Sequence, residues 1–297
     1  MVARVDWAPD DSGFLTLLEG TAALCDASGA PGRPIAWSIL DARWLADGRV
    51  LTCNPAAVLA WRTGDHVVDH RALAVESGPI ESAAIAASGT AVATVNNTCV
   101  RVWSTAGEPL WRLDSPEQRD DVTTALSPSG DLVVAGHQSN HVGRFYSWVV
   151  GEVASDRTLA TASDDPQSGP RRFAISDHRL RVAYSRPDHA APAEVIELAL
   201  AGRGLDGTEP RDVFTTAAEH VTAIAIDPSG QIAAFAFRKL RGRLCVAYLD
   251  PIRLATSEAL FLDPDSPGDV AALAFSADSR RLACLGSDGR VEVVPVP

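Results

Sequence analysis

Apolar and polar residues alternate with a period of two along most of the chain, and short turn sequences interrupt the alternation. The segment that begins at Val221 reads Val-Thr-Ala-Ile-Ala-Ile, then Asp-Pro-Ser-Gly, then Gln-Ile-Ala-Ala-Phe-Ala-Phe. Alternation predicts β-strands, and the turn predicts a hairpin because Pro fixes φ and Gly accepts a positive φ. Third and fourth strands are predicted at 244–249 and 258–262, whereas helical spacing of apolar residues is nearly missing.

The same strand–turn–strand unit recurs from one end of the chain to the other. Copies begin near Val5, Ala42, Ile80, Asp121, Arg172 and Val270. Successive turns are about 35 to 51 residues apart, which brackets the length of a four-stranded propeller blade. We therefore predict an all-β, seven-bladed β-propeller of mostly four-stranded antiparallel blades, forming a single domain over residues 1–297. The predicted blades lie near residues 2–38, 39–78, 79–118, 119–168, 169–218, 219–267 and 268–297.

The turns resemble those of the WD40 repeat family, whose units carry an apolar strand, a Ser-Pro-Asp-Gly-like turn and a third strand ending in Trp-Asp. Ser127-Pro128-Ser129-Gly130 and the Asp-Pro-Ser-Gly turn at 227–230 match that turn, and the resemblance covers the whole chain. The terminal dipeptide survives only in traces such as Trp103-Ser104. The Gly-His element is missing ahead of the first strands. We therefore expect packing of Val, Ile, Leu and Ala between blades to replace the hydrogen-bond network of well-formed WD40 repeats.

The last predicted blade ends early. Residues 2–8 already serve as the first strand of blade 1, and the segment from Val291 to Val294 is a third strand. We therefore expect a three-stranded last blade whose outer edge, at Val291 and Val293, accepts a strand from a partner or from a second copy. The alternatives are a naturally short blade and a shortened chain.

Composition and charge narrow the choice of partners. The net charge of −12 disfavours nucleic acid, so we expect protein partners, including basic ones. The opening residues lack a signal-peptide pattern, and no apolar run is long enough for a membrane helix. The five cysteines are widely spaced, without a C-x-x-C pair, and indicate buried thiols of a cytoplasmic protein.

Few residue patterns indicate catalysis. No nucleophile elbow, phosphate-binding loop or His-Glu-x-x-His motif is present. His66 and His70, like His137 and His141, are four residues apart, but they lie in predicted strands or loops where this spacing does not form a metal site. We therefore predict neither a metal nor a cofactor.

Charged loops are the candidate binding sites. Acidic pairs lie in three loops predicted to lead into first strands and to form an acidic rim: Asp120, Asp121, Asp164, Asp165, Asp263 and Asp265. A predicted loop of blade 6 carries the opposite charge, on Arg238, Lys239, Arg241 and Arg243. In each case ordinary solvated turn residues are the alternative.

Tryptophan positions are predicted from the same alternation. Trp7, Trp44, Trp61 and Trp103 are expected in the core, and Trp111, on an outermost strand, is expected to be exposed. Trp37 and Trp148 stay undecided.

The chain is predicted to be a non-catalytic scaffold or sensor that presents a rigid loop face to another protein. The alternative is a propeller hydrolase or lactonase with a metal or carboxylate site at the channel mouth.

Overall fold

A computed structural model of the protein contains β-strands as its regular secondary structure. The structure describes residues 3–75, 79–96, 99–114, 119–139, 146–155, 157–163, 172–177, 181–185, 194–197, 211–215, 221–237, 243–249, 258–261 and 269–296. Within these ranges, no helix has the length and hydropathy needed to span a bilayer. The chain divides into two compact units, Met1–Pro170 and Arg171–Pro297, described separately below. A single domain over 1–297 stays a prediction.

The first unit contains four sheets of four strands each, and in every sheet the strands follow one another in chain order as an antiparallel meander. The first two sheets are β1 (Arg4–Trp7), β2 (Gly13–Leu18), β3 (Thr21–Asp26) and β4 (Arg33–Ala36), then β5 (Asp41–Trp44), β6 (Val50–Cys53), β7 (Val58–Thr63) and β8 (His66–Ala72). The next two are β9 (Ser82–Ile85), β10 (Ala91–Val95), β11 (Cys99–Ser104) and β12 (Pro109–Asp114), then β13 (Arg119–Leu126), β14 (Leu132–Ser139), β15 (Tyr146–Glu152) and β16 (Arg157–Ser163).

The second unit contains two four-stranded sheets and one three-stranded sheet among its described residues. The four-stranded sheets are β17 (Arg172–Ile175), β18 (Arg181–Ser185), β19 (Glu194–Glu197) and β20 (Arg211–Thr215), then β21 (Val221–Ile226), β22 (Ile232–Phe237), β23 (Arg243–Tyr248) and β24 (Glu258–Phe261). The three-stranded sheet is β25 (Val270–Phe275), β26 (Arg281–Gly286) and β27 (Val291–Pro295).

The predicted count of seven blades needs correction. In the described part of the chain six sheets are complete four-stranded blades, and the last sheet stops at its third strand, β27. The prediction located each blade by the turn between its first two strands, so it counted hairpins and not complete blades. β25 and β26 form such a hairpin, but their sheet lacks a fourth strand among the described residues. The all-β assignment and the antiparallel meander within each sheet agree with the alternation in the sequence.

The turn between the first and second strands repeats with the same backbone hydrogen bonds. In the fourth sheet, Ser127 N donates to Leu132 O and Gly130 N donates to Ser127 O, both at 3.0 Å. The third residue after the start of the turn has a positive φ, which is 89° at Gly130 and 82° at Gly48. In the first sheet this residue is Asp11, with φ of 58°, because Gly13 already belongs to β2.

Neighbouring sheets within a unit pack through buried aliphatic side chains. In the first unit, one apolar cluster joins Leu15 and Leu17 of β2 to Ala42 of β5. In the second unit, another joins Ala223 of β21 and Leu244 of β23 to the last sheet. The expected packing of small and branched residues between sheets is therefore present. A charged network, described next, was not expected.

Candidate functional site

Two ion pairs connect the first strands of the first two sheets. Arg4 of β1 lies beside Asp41 of β5, with Nε 2.9 Å from Oδ1, and Asp6 of β1 lies beside Arg43 of β5, with Oδ1 3.4 Å from Nη1. The sequences Arg-Val-Asp-Trp and Asp-Ala-Arg-Trp carry opposite charges at matching positions. The two strands therefore present complementary pairs to each other, and we call these four residues the ionic network.

The ionic network also binds backbone groups of neighbouring strands. Trp44 N donates to Asp6 Oδ2 at 2.9 Å, and Ile85 N of β9 donates to Asp41 Oδ2 at 2.5 Å. Arg43 Nε donates to the carbonyl oxygen of Ile85 at 3.1 Å. Carboxylates that accept from a backbone N–H form charge-assisted hydrogen bonds, which are stronger than neutral ones. The ionic network thus fixes the positions of three consecutive sheets.

Burial dominates the electrostatics of the ionic network. The side chain of Asp41 is fully buried, and burial raises its pKa although Arg4 and Arg43 attract its charged form. Burial, followed by repulsion from Arg43, lowers the pKa of Arg4 to about 10. Arg4 Nη1 is buried without a hydrogen-bond partner in the structure. Asp41 is thus the fully buried member of the network, while the side chains of Arg4, Asp6 and Arg43 are about one-fifth exposed.

The loop that follows β4 leads directly into this network at Asp41. In each four-stranded sheet, the turn between the second and third strands and the connection from the fourth strand to the next sheet lie at the same end. We call this end of the sheets the loop end. At the loop end, Ile39 N donates to Gly20 O and Leu40 N donates to Cys53 O. Asp41, which begins β5, is anchored by the ionic network. The segment between β4 and β5 is therefore fixed on both the first and the second sheet.

Trp37 is the most exposed large apolar side chain among the described residues, at 67%. It lies between Ile35 and Ile39, which are both buried, and Ser38 beside it has a φ of 55°. Arg62 Nη1 donates to Ile35 O at 2.9 Å. A left-handed residue with a Cβ is disfavoured by about 1–2 kcal/mol, so the surrounding hydrogen bonds must hold this conformation. The indole is consequently exposed on a fixed backbone.

Other loops extend this surface across the loop end. Leu73 N donates to Ala57 O, Ile80 N to Pro55 O and Glu81 N to Val95 O, so the loops of the first three sheets are joined by backbone hydrogen bonds. We call seven exposed residues of these loops the Trp37 face: Glu19, Trp37, Ser38, Ala56, Ala74, Pro79 and Glu81. A rigid surface with an exposed indole is the main candidate site of the molecule.

Both predicted residues of the β27 edge have outward backbone groups, but only one of them has an exposed side chain. Gly286 N donates to Arg290 O and Val296 N donates to Arg280 O, so even-numbered residues of β27 face β26. Val291 and Val293 therefore direct their backbone groups outward. The side chain of Val293 is 41% exposed, whereas that of Val291 is buried at 5%, because it packs into the sheet. Among the described residues no strand pairs with this edge, and strand addition there stays a prediction.

The predicted charged loops are only partly placed by the structure. Asp120 and Asp121 lie within β13 and not in a loop, because the strand begins at Arg119 and Asp120 pairs with Gln138. Arg243 is likewise the first residue of β23 and pairs with Phe261. The remaining predicted residues, Asp164, Asp165, Asp263, Asp265, Arg238, Lys239 and Arg241, lie outside the described residues. The acidic rim and the basic loop stay predictions.

Histidine and cysteine positions bear on the hydrolase alternative. His66 and His70 lie on β8, and His137 lies on β14, while His141 is outside the described residues. In the part of the chain that the structure describes, no group of three or more His, Cys, Asp or Glu side chains is placed to hold a metal ion. Cys53 is buried, which raises the pKa of its thiol to about 12. Such a thiol is a poor nucleophile.

The remaining tryptophans that the structure describes differ from the prediction at three positions. Trp61 and Trp103 are buried as expected, while Trp7 and Trp44 are half-buried. Trp111 was expected to be exposed but is only 4% exposed, because it packs on Gly151 of the next sheet, where a Cβ would lie 2.5 Å from the ring. Nothing in the alternation distinguished Trp37, whose exposure depends on the end of β4.

Comparisons with known proteins identify the fold. No protein-family model and no curated protein matches the sequence. The β-propeller domain of Swd1 from Myceliophteria thermophila is similar in structure, with a TM-score of 0.68, 12% identity, and coverage of 99% of this chain and 95% of that one. A hydrazine synthase chain from Kuenenia stuttgartiensis has a TM-score of 0.69 at 12% identity, covering 98% and 94%. A chain of a mitotic checkpoint complex has a TM-score of 0.67 at 12% identity, covering 99% and 89%. The likeness shows a β-propeller fold and supports the WD40-like resemblance at that level.

Proposed function

We propose that this β-propeller is a non-catalytic, cytoplasmic scaffold that binds another protein through the Trp37 face. The observation that carries the proposal is the exposure of Trp37, at 67%, on a loop fixed by the hydrogen bonds of Ile35 and Ile39. Tryptophan is among the residues most enriched at binding hot spots, and a rigid backbone lowers the entropy lost on binding. The other exposed apolar residues, Val67, Val68, Leu110 and Val293, lie on edge strands.

The comparisons support this proposal in general terms. One similar chain is from a mitotic checkpoint complex and is therefore a component of an assembly. Propellers suit such a role because rigid sheets position loops without requiring catalytic groups. The hydrazine synthase chain shows that the same fold also occurs in enzymes, so the fold alone does not decide the function.

A photo-crosslinking amino acid at position 37 tests the proposal in cells of the native host. The matched control carries the same amino acid at position 67, an exposed apolar position on β8. We expect a discrete adduct with one protein from position 37 and none from position 67. The identified protein is then purified, and Trp37→Ala is expected to weaken its binding about 30-fold, as for a hot-spot residue. Equal affinity for the wild type and Trp37→Ala would reject the Trp37 face.

A further inference from the structure

The charges of the Trp37 face are of one sign. Its two ionisable residues are Glu19 and Glu81, which are both exposed. The described residues of the loops that form this face carry no Arg, Lys or His, and the guanidinium of Arg62, which donates to Ile35 O, comes from the adjoining strand β7. The whole chain has a net charge of −12, so its field does not compensate for the local acidity. A ligand for this surface gains by carrying positive charge.

An exposed indole on a surface whose ionisable groups are carboxylates suits a particular kind of cation. Arg and Lys side chains bind the face of an indole ring through cation–π attraction, while carboxylates neutralise their charge. The chain itself contains such a pair, because the guanidinium carbon of Arg101 lies 5.7 Å from the centroid of the Trp103 ring. That pair is buried within β11, whereas the ring of Trp37 is free for an external cation.

We infer that the Trp37 face binds an extended basic segment of the partner protein, with an Arg or Lys side chain stacked on Trp37 and flanking cations near Glu19 and Glu81. This inference rests on the proposed scaffold function and adds the chemistry of the partner. Backbone hydrogen bonds join the loops of the first three sheets, so such a segment would meet one connected surface. A nucleic acid is excluded as the occupant because its phosphates would meet the same carboxylates.

A designed peptide tests the inference without the native partner. The probe is a Gly/Ser peptide of about 12 residues with four Arg, and the reference peptide has Gln in place of each Arg; a length of about 12 residues spans roughly 40 Å when extended. Binding is followed at low salt by the indole N–H resonance of Trp37, assigned by its loss in Trp37→Phe. We expect the Arg peptide to shift this resonance and the Gln peptide to leave it unchanged.

Variants separate a specific site from overall acidity. Trp37→Ala is expected to weaken binding of the Arg peptide at least about 5-fold, and Glu19→Gln with Glu81→Gln by a similar factor. The matched control, Glu108→Gln with Asp131→Asn, removes two exposed carboxylates at the opposite end of the sheets and should change binding less than about 2-fold. Circular dichroism verifies that each variant is folded.

Two results overturn the inference: unchanged binding by Trp37→Ala, or an equal loss in the control pair, which would mean that net charge alone attracts the peptide. The peptide experiment tests the chemistry of the ligand, whereas the crosslinking experiment tests the scaffold function, so each hypothesis can fail by itself. An adduct at position 37 without peptide binding retains the scaffold and rejects a basic partner. Peptide binding at Trp37 without any adduct in cells supports the surface chemistry and rejects the scaffold function.

Discussion

The first strands of the first two sheets and those of the last two sheets contact their neighbours in different ways. β1 and β5 face each other with Arg4, Asp6, Asp41 and Arg43, which form two ion pairs. β21 and β25, Val-Thr-Ala-Ile-Ala-Ile and Val-Ala-Ala-Leu-Ala-Phe, contact each other mainly through aliphatic and aromatic side chains. Truncating an apolar side chain in a core lowers stability by an amount that depends on the volume removed. Removing one partner of a buried ion pair lowers stability by the whole cost of leaving the other charge buried and unpaired. The two regions should therefore differ in their response to substitution.

The largest expected effect is in the ionic network. Arg4→Met leaves the buried carboxylate of Asp41 without its ion-pair partner and should lower the free energy of unfolding by about 3–5 kcal/mol at pH 7. All seven tryptophans lie between residues 7 and 148, so tryptophan fluorescence in urea reports the unit Met1–Pro170. The double variant Arg4→Met with Asp41→Asn is the control and should recover most of the loss, because it removes the unpaired charge.

The same variant has a pH dependence whose sign follows from Asp41. Burial raises the pKa of this carboxyl, and Arg4 is the first of the charges that oppose the rise. Removing Arg4 raises the native pKa further, so the folded state prefers the neutral acid. The deficit relative to the wild type should grow as pH rises from the native pKa of Asp41 in the wild type to its higher native pKa in the variant, and shrink on acidification. A deficit independent of pH between 4 and 8 would contradict the assignment.

The apolar region should show a comparable loss without pH dependence. Leu282 of β26 is fully buried in the cluster that joins the last two sheets, and Leu282→Ala should cost about 2–5 kcal/mol through lost burial and a cavity. Amide hydrogen exchange, followed in peptides that cover residues 221–237 and 270–286, measures this loss of stability. Val293→Ala, at an exposed position of the same sheet, is the control and should change stability by less than about 0.5 kcal/mol. A pH-dependent loss in Leu282→Ala would erase the distinction between the regions.

The turns of the two regions differ at their first residue. Asp227 is buried and accepts hydrogen bonds from Gln231 N and Ile232 N, both at 2.7 Å, and from Ser279 Oγ of the next sheet at 2.9 Å. Apolar Leu45 and Ala86 hold the same position in the second and third sheets. Asp227→Ala should cost about 1–2 kcal/mol by leaving part-buried donors without their acceptor, and Asp227→Ser should cost less. The Ile232 backbone amide should exchange its hydrogen faster in Asp227→Ala than in Asp227→Ser. Equal exchange rates in the two variants would reject the role of the side-chain acceptor at position 227.

The sequence predicts these elements unevenly, for physical reasons. Turn chemistry is local, so the turns at Gly130 and Gly230 could be located from Pro, Ser and Gly alone. The ionic network was also readable, since Arg-Val-Asp-Trp and Asp-Ala-Arg-Trp are charge-complementary, but the comparison requires knowing that β1 and β5 are neighbours. The burial of Trp111 depends on Gly151, forty residues away in the chain, which no pattern near Trp111 reveals.

The Trp37 face was the least predictable part of the molecule. Trp37 comes directly after β4, which ends at Ala36, and Ser38 beside it adopts a positive φ. Its exposure is therefore a property of the loop and of its hydrogen bonds to the Glu19–Gly20 turn and to Arg62. By contrast, the edge at β27 was visible in the sequence, since the last repeat unit contains only three strand patterns.

The smallest expected effect separates backbone strain from packing in the turns. Gly48 and Gly130 both have positive φ, but a Cβ at Gly48 meets nothing within 4 Å, whereas a Cβ at Gly130 lies 2.9 Å from Ala91 Cβ of the preceding sheet. Gly48→Ala should therefore cost about 1 kcal/mol from the left-handed conformation alone, and Gly130→Ala about 1 kcal/mol more from overpacking. Both turns lie in the unit that tryptophan fluorescence reports, so the two urea midpoints are directly comparable. Equal losses would mean that the backbone near Gly130 or Ala91 shifts to make room for the added methyl group. Close packing of this turn against the preceding sheet would then contribute little to stability compared with the ion pairs and apolar side chains between sheets.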